Sequence, residues 1–200
     1  MAELSVLVVD EEGFEGSLRR CSPGTRIDVM KFVSYLENFR PRRTMLWIKW
    51  IILDRSHETN DGTDPRQPYV TWLRARGIRV EAVKPKPINR FPNRKEPNAC
   101  DFAVIEAIRL GAKKASTVIV AGNDGHFAPA IDQAHHEFGC RTEVVCDHQG
   151  LSSEIAADYF HFLEDILAAR DIAYRGNHSN GERAQPCGPA RSTRGNGIYV

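Results

Sequence analysis

The chain contains no Cys-x-x-Cys pair, and its five cysteines, Cys21, Cys100, Cys140, Cys146 and Cys187, are odd in number and scattered. Both a zinc ribbon and a disulfide framework are thereby disfavoured, and the thiols read as reduced. Long apolar runs are missing as well. The longest, Met45 to Leu53, contains Lys49 and is too short to span a bilayer. The N-terminus is acidic and shows no cleavage-site pattern, so no secretory signal is expected; the expectation is a cytoplasmic protein that makes no use of a membrane. Nor does one sign of charge dominate: 27 Lys and Arg against 26 Asp and Glu leave a net charge of +1. The chain as a whole is therefore no basic glove for nucleic acid, and such a partner would have to be met by a local patch.

What is present is an alternation of strand-like and helix-like runs within 200 residues of ordinary hydrophobic content, 42%. Strands are expected at about 4–10, 45–53, 78–83, 117–121 and 142–146. Helices are expected at roughly 26–39 behind Thr25-x-x-Asp28, from Asp64-Pro65 to Gly77, from Ala99 to Leu110 with Gly111 behind it, from Phe127 to Phe138 with Gly139 behind it, and from Ser153 to Ala169. This is the pattern of an α/β domain with a five-stranded parallel sheet covered on both faces. Strands one, two and four are apolar throughout and belong in the centre, which favours the order 3-2-1-4-5. Residues 1–170 form the expected domain. From 171 to 200 the sequence turns to Gly, Asn, Ser, Pro and Arg, which predicts a disordered polar tail.

Two of these strands end in a carboxylate: Val6-Leu-Val-Val-Asp10, and Thr117-Val-Ile-Val-Ala-Gly-Asn-Asp-Gly-His-Phe127, with Asp124 just past the strand. In an open parallel sheet ligands bind beyond the carboxyl ends of the strands, so Asp10 and Asp124 converge on one crevice. Asp101, near the start of the third helix, points at the same edge. Carboxylates that close together repel unless a divalent cation compensates them, and oxygen donors suit Mg²⁺ or Mn²⁺. Read singly, the same residues serve as helix caps: Asn98-x-x-Asp101 suits a helix start, and Asp124 suits a cap. Glu12 is a further candidate ligand, and His126 and Asn123 are additional candidates at the same edge. Between the third strand and Asp101, Lys84, Lys86, Arg90, Arg94 and Lys95 form a basic, proline-rich loop free of acids up to Lys95. A positive arm beside an acidic metal site suits a phosphodiester substrate.

In this order the elements resemble the NYN domains, PIN-like, LabA-related ribonucleases, over about residues 4–167. The resemblance implies a PIN-like three-layer α/β/α fold and metal-dependent RNA cleavage by Asp10, Asp101 and Asp124. It implies RNA, in single-stranded form, as partner, with a second copy of the chain as another candidate partner. Three positions depart from the family's pattern. Gly13 stands where an Asn is usual, Asn98 or a displaced Lys95 stands for a Lys before the helix Asp, and His126 replaces the last Asp. Two alternatives keep other features in play. Ile51-Ile-Leu-Asp54 with Asp61-Gly62 resembles a response-regulator receiver phosphorylated on Asp54, and a non-catalytic RNA-binding adaptor would share the fold.

Overall fold

A computed structural model describes residues 2–85, 87–88, 91–95, 99–169 and 172–175. The elements are β1 (Glu3–Asp10), α1 (Glu11–Cys21), β2 (Thr25–Ile27), α2 (Val29–Asn38), β3 (Arg43–Leu53), α3 (Gln67–Arg74), β4 (Arg79–Val83), β5 (Pro87–Ile88), β6 (Phe91–Lys95), α4 (Asp101–Ala112), β7 (Thr117–Ala121), α5 (Ala128–His136), β8 (Arg141–Cys146), β9 (Tyr159–Phe162), α6 (Leu163–Ala169) and β10 (Ala173–Arg175). The main sheet has six strands in the order β4-β3-β1-β7-β8-β9, all parallel. The five expected strands keep their expected neighbours, and the sixth is added beside β8.

Strand side chains alternate between two cores, as period two requires. Val6, Val8, Val118, Val120 and Val144 face α4 and α5, meeting Val104, Ala107, Ile108 and Ile131. Leu7, Val9, Ile119 and Val145 face the other way, against Phe14, Phe32, Leu36, Leu73 and Leu163. Gly111 does not end its helix as expected but lies inside α4. A Cβ there would approach Val6 Cγ2 to 2.6 Å, so the glycine serves the close seating of α4 on β1.

Four expectations are corrected. First, Glu11 to Cys21 is a helix rather than a loop: Asp10 caps it by accepting from Gly13 N–H at 3.1 Å, and Phe14 and Leu18 bury one face. Second, the expected helix over 153–169 divides into β9 and α6. Asp158 accepts from Thr142 N–H at 2.8 Å and from its hydroxyl at 3.2 Å, which sets β9 in register on what would be the open edge of β8. Third, the basic loop includes an antiparallel hairpin, β5 with β6. Fourth, ordered chain continues past residue 171. Ile172 is buried in the core beside Ile166 and Val29, and β10 pairs with β2. Residues 176–200 lie outside the described residues.

Away from the strand ends that carry the acids, Glu143 of β8 is fully buried and gathers four basic groups. It accepts from Arg43 at 2.7 and 3.0 Å, Arg40 at 3.2 Å, Arg141 at 3.0 Å and His161 at 2.9 Å. Arg43 also reaches Glu3 at 2.9 Å and Leu36 C=O at 3.0 Å. Burial alone would raise the Glu143 pKa, but the hydrogen bonds from His161 and Arg43 hold it well below the usual carboxylate range. The network thus ties β1, β3, β8, β9 and the end of α2 together.

Breaking a buried pair leaves an uncompensated charge, so Glu143→Gln should cost about 3–5 kcal/mol in urea unfolding at neutral pH. Because the folded pKa is depressed, the Glu143 contribution is present above the unfolded value of 4.5 and is lost as pH falls below it. Wild type and variant should therefore converge in acid. Ile172→Ala should cost about 2–5 kcal/mol by the same assay, as a large-to-small change in the core; a cost near zero would return this residue to the tail.

Candidate metal centre

β1 delivers Asp10 to the carboxyl edge between β3 and β7, with Val9 level with Ala121. The carboxylate is nearly buried, at 7% exposure for the residue. Two glycines make its place. A Cβ on Gly13 would lie 2.4 Å from Asp10 Oδ2, and a Cβ on Gly122 would lie 3.3 Å from Asp10 Cβ and 3.2 Å from the Phe127 ring. The polypeptide after β7 can thus pass directly over Asp10, with Phe127 fully buried beneath the turn.

Asp124 caps the 3₁₀ turn Gly125–Phe127, accepting from His126 N–H at 2.9 Å. Asp101 opens α4, whose N-terminus faces the same edge. His126 joins them: its Nδ1 lies 2.8 Å from Asp101 Oδ2 and 3.2 Å from Asp124 Oδ1. Ligand-type atoms of Asp101, Asp124 and His126 all fall within 4.8 Å of one another. Asp10 is electrostatically coupled to Asp101 and Asp124 but does not belong to that tight trio.

Burial and mutual repulsion shape the electrostatics of the crevice. Burial drives the Asp10 pKa up to about 7; the Gly13 N–H opposes this, and Asp101, Glu12 and Asp124 add to it by repulsion. Asp101 is raised by burial and by Asp124, with His126 pulling it back. His126 is raised in turn, first by Asp124 and then by Asp101. An oxygen-rich donor set with one imidazole fits a divalent cation of the Mg²⁺ or Mn²⁺ kind. The residues present could hold one.

The other candidates are distributed less evenly. Glu12 is about half exposed and lies 3.5 Å from Arg55. Asn123 turns away from the trio, its amide 3.5 Å from Asp147 Oδ1. Lys84 is 80% exposed and its Nζ lies 3.9 Å from Asp54. Lys86 and Arg90 lie outside the described residues, and Arg94 and Lys95 fall on the backbone of β6.

Asp147 and its partner Arg20 escaped the sequence reading at this edge. Asp147, fully buried at the end of β8, is gripped by Arg20 through two bonds of 2.8 Å, and this pairing holds its pKa down at about 2 against burial. Glu11 is buried against Arg66. The signal for Asp147 was the one that found Asp10, an apolar strand ending in Asp. For α1 it was Glu11 and Glu12 in the first turn with Arg19 and Arg20 in the last, which complements a helix dipole.

The sheet order bears on the receiver alternative. Receivers follow the order 2-1-3-4-5, with the third strand beside the first on the side away from the second. Here the third strand of the main sheet in chain order, β4, lies outside the second, β3. Asp54 directly follows β3 and accepts from Ser56 N–H at 2.8 Å, an ordinary Asx-type turn that lowers its pKa.

Comparison with known proteins agrees with this geometry. No curated protein matches the chain. Among solved structures the fold is similar to that of a protein of unknown function from Vibrio parahaemolyticus RIMD 2210633, at 18% sequence identity and a TM-score of 0.64, covering 82% of this chain and 94% of that one. At that identity the likeness concerns the fold alone. The family model described as NYN domain matches residues 17–164, a span that includes Asp101, Asp124 and His126 and begins after Asp10. The match extends over more than half of the chain, which therefore belongs to the NYN domain family, generally a family of nucleases.

Proposed function

We propose that the chain is a divalent-metal-dependent ribonuclease that hydrolyses single-stranded RNA at the Asp10, Asp101 and Asp124 crevice. The observation that carries this reading is the convergence of three carboxylates from three separate elements on one edge, with Asp10 buried and repelled by the others. Residues kept only for capping or packing would not need to be brought together at that electrostatic cost. Asp101, Asp124 and Asp10 would hold Mg²⁺ or Mn²⁺, with Glu12 and His126 at its margin. When bound, the cation supplies charge stabilisation at the phosphoryl group and acidifies water.

The protein's own groups have distinct tasks. Glu12, about half exposed at the margin of the crevice, would accept the proton that the attacking water gives up as its oxygen bonds to phosphorus. The bond from phosphorus to the leaving sugar oxygen breaks, and His126, beside Asp101 and Asp124, would return a proton to that oxygen. Lys84, Lys86, Arg90, Arg94 and Lys95 would follow the neighbouring phosphates. An RNA-binding adaptor without catalysis is the second reading, and His126 is what favours it: its Nδ1 sits between Asp101 and Asp124, where a cation would bind.

Asp124→Asn separates these readings. Asn caps about as well as Asp, so the turn over Gly125–Phe127 should survive. Cleavage of labelled single-stranded RNA with Mn²⁺ should fall by at least about 100-fold, and the rise in melting temperature that millimolar Mn²⁺ gives the wild type should vanish. A variant that still cleaves, or a wild type that Mn²⁺ does not stabilise, would sink the metal-dependent reading; binding without cleavage in the wild type would establish the adaptor.

A second measurement addresses the arm. Replacing Arg90, Arg94 and Lys95 by Ala should flatten the dependence of log binding constant on log salt by up to about 0.7 per lost phosphate contact on a single strand. An unchanged slope would mean that the arm does not touch the backbone.

A further inference from the structure

The most exposed large apolar side chain of the described surface stands at the mouth of the acid crevice. Phe102 is 73% exposed, whereas the next, Leu46, is 44% exposed. Scattered surface apolar residues are normal, so exposure alone says little. Position says more. Phe102 is the second residue of α4 and follows Asp101, whose Oδ2 lies 2.8 Å from His126 Nδ1. Consecutive Cα atoms are about 3.8 Å apart, so the ring is rooted one residue from the acid. In an α-helix the Cα–Cβ bonds tilt toward the N-terminus, and the N-terminus of α4 opens on the crevice. The ring therefore leans toward the site, while Ala103, Val104, Ala107 and Ile108 supply the helix's buried face.

A bare phenyl face offers stacking and no hydrogen bond. It suits a flat partner whose identity matters little, which describes a nucleobase. A polynucleotide whose phosphate lies at the carboxylates must carry a base next to that phosphate. In a duplex this base is already stacked and paired; in a single strand it is free to turn onto an aromatic surface. We infer that Phe102 is the platform on which the nucleobase adjoining the cleaved phosphodiester stacks, and that it thereby selects single-stranded RNA over duplex. This inference rests on the RNA reading given above.

The test compares wild type, Phe102→Ala and Phe102→Trp, binding a short fluorescent single-stranded RNA, its duplex, and an abasic strand with the same phosphates. Binding is measured with Ca²⁺ in place of Mn²⁺, so that a cation is available to the carboxylates, and the strands are checked to be intact afterwards. Melting temperatures should not change with Phe102→Ala, because the ring is exposed. Phe102→Ala should weaken binding of the single strand by about 5- to 100-fold, the range for loss of one stacked base, and leave the abasic strand unaffected. Phe102→Trp should restore binding, and its added emission, over that of the three native tryptophans, should be quenched by the single strand and not by the abasic one. If Phe102→Ala binds the base-bearing strand as tightly as wild type does, or the new Trp ignores it, the platform is overturned while the RNA reading stands. If wild type binds none of the strands and cleaves none with Mn²⁺, both fall together.

Discussion

Repulsion among carboxylates at the carboxyl edge of the sheet is the interaction on which the rest of this structure turns. Two ionised carboxylates 4 Å apart at a protein surface repel by about 4 kcal/mol, a large part of what a domain has to spare. The edge handles its acids in two ways. Asp147 is matched by the fork of Arg20, and Asp54 by the Ser56 N–H and Lys84, so both are held as anions below their usual range. Among the described residues, the basic side chain that Asp101 and Asp124 meet is that of His126. The Asp10 pKa is driven up to about 7, first by burial and then by repulsion from Asp101, Glu12 and Asp124. The same edge thus carries two kinds of acid, Asp147 and Asp54 lowered by matched donors, and Asp10 and Asp101 raised by burial and by their acidic neighbours.

Holding repelling groups together requires a frame that does not yield. Glu143 provides it away from the crevice, since one buried carboxylate receives bonds from Arg40, Arg43, Arg141 and His161, which come from both sides of the sheet's centre line. Closer to the acids the frame is made by the absence of side chains. A Cβ at Gly13 would collide with Asp10, and one at Gly150 would lie 2.2 Å from Arg20 Nη2 and 2.6 Å from Asp147 Oδ1. Packing at this density transmits strain rather than absorbing it, so a small displacement of β1 would be felt at all three acids.

How much of this was legible in the sequence depended on the range of the forces involved. Apolar runs ending in Asp10 and in the Gly122 to Phe127 turn announced both the strands and the edge, because burial and strand-end geometry are local and periodic. The five central strand positions and their neighbour relations followed from which runs were apolar throughout. β9 was hidden because Tyr159, Phe162, Leu163 and Ile166 also fit a helical face; what decides for a strand is the long-range bond of Asp158 to Thr142. α1 was hidden because Gly13 and Gly16 weaken its helical signal, and its stability comes from Phe14 packing on Phe32 and Trp50, at ring distances of 5.2 and 6.1 Å. The pairing of Arg20 with Asp147 spans 127 residues, and no spacing rule reaches that far.

The two departures seen at described positions act on this balance in a consistent direction. A side chain at residue 13 cannot coexist with Asp10 in its present rotamer, so Gly13 exchanges whatever contact an Asn would add for a direct backbone N–H to the carboxylate. His126, where the resemblance expects an acid, brings an imidazole to the edge that holds Asp10, Asp101 and Asp124, and it bridges Asp101 to Asp124. The imidazole opposes the rise that burial and Asp124 impose on the Asp101 pKa. Neither departure moves the aspartates from the edge, so the group of Asp101, Asp124 and His126, which could hold a divalent cation, stands beside Asp10.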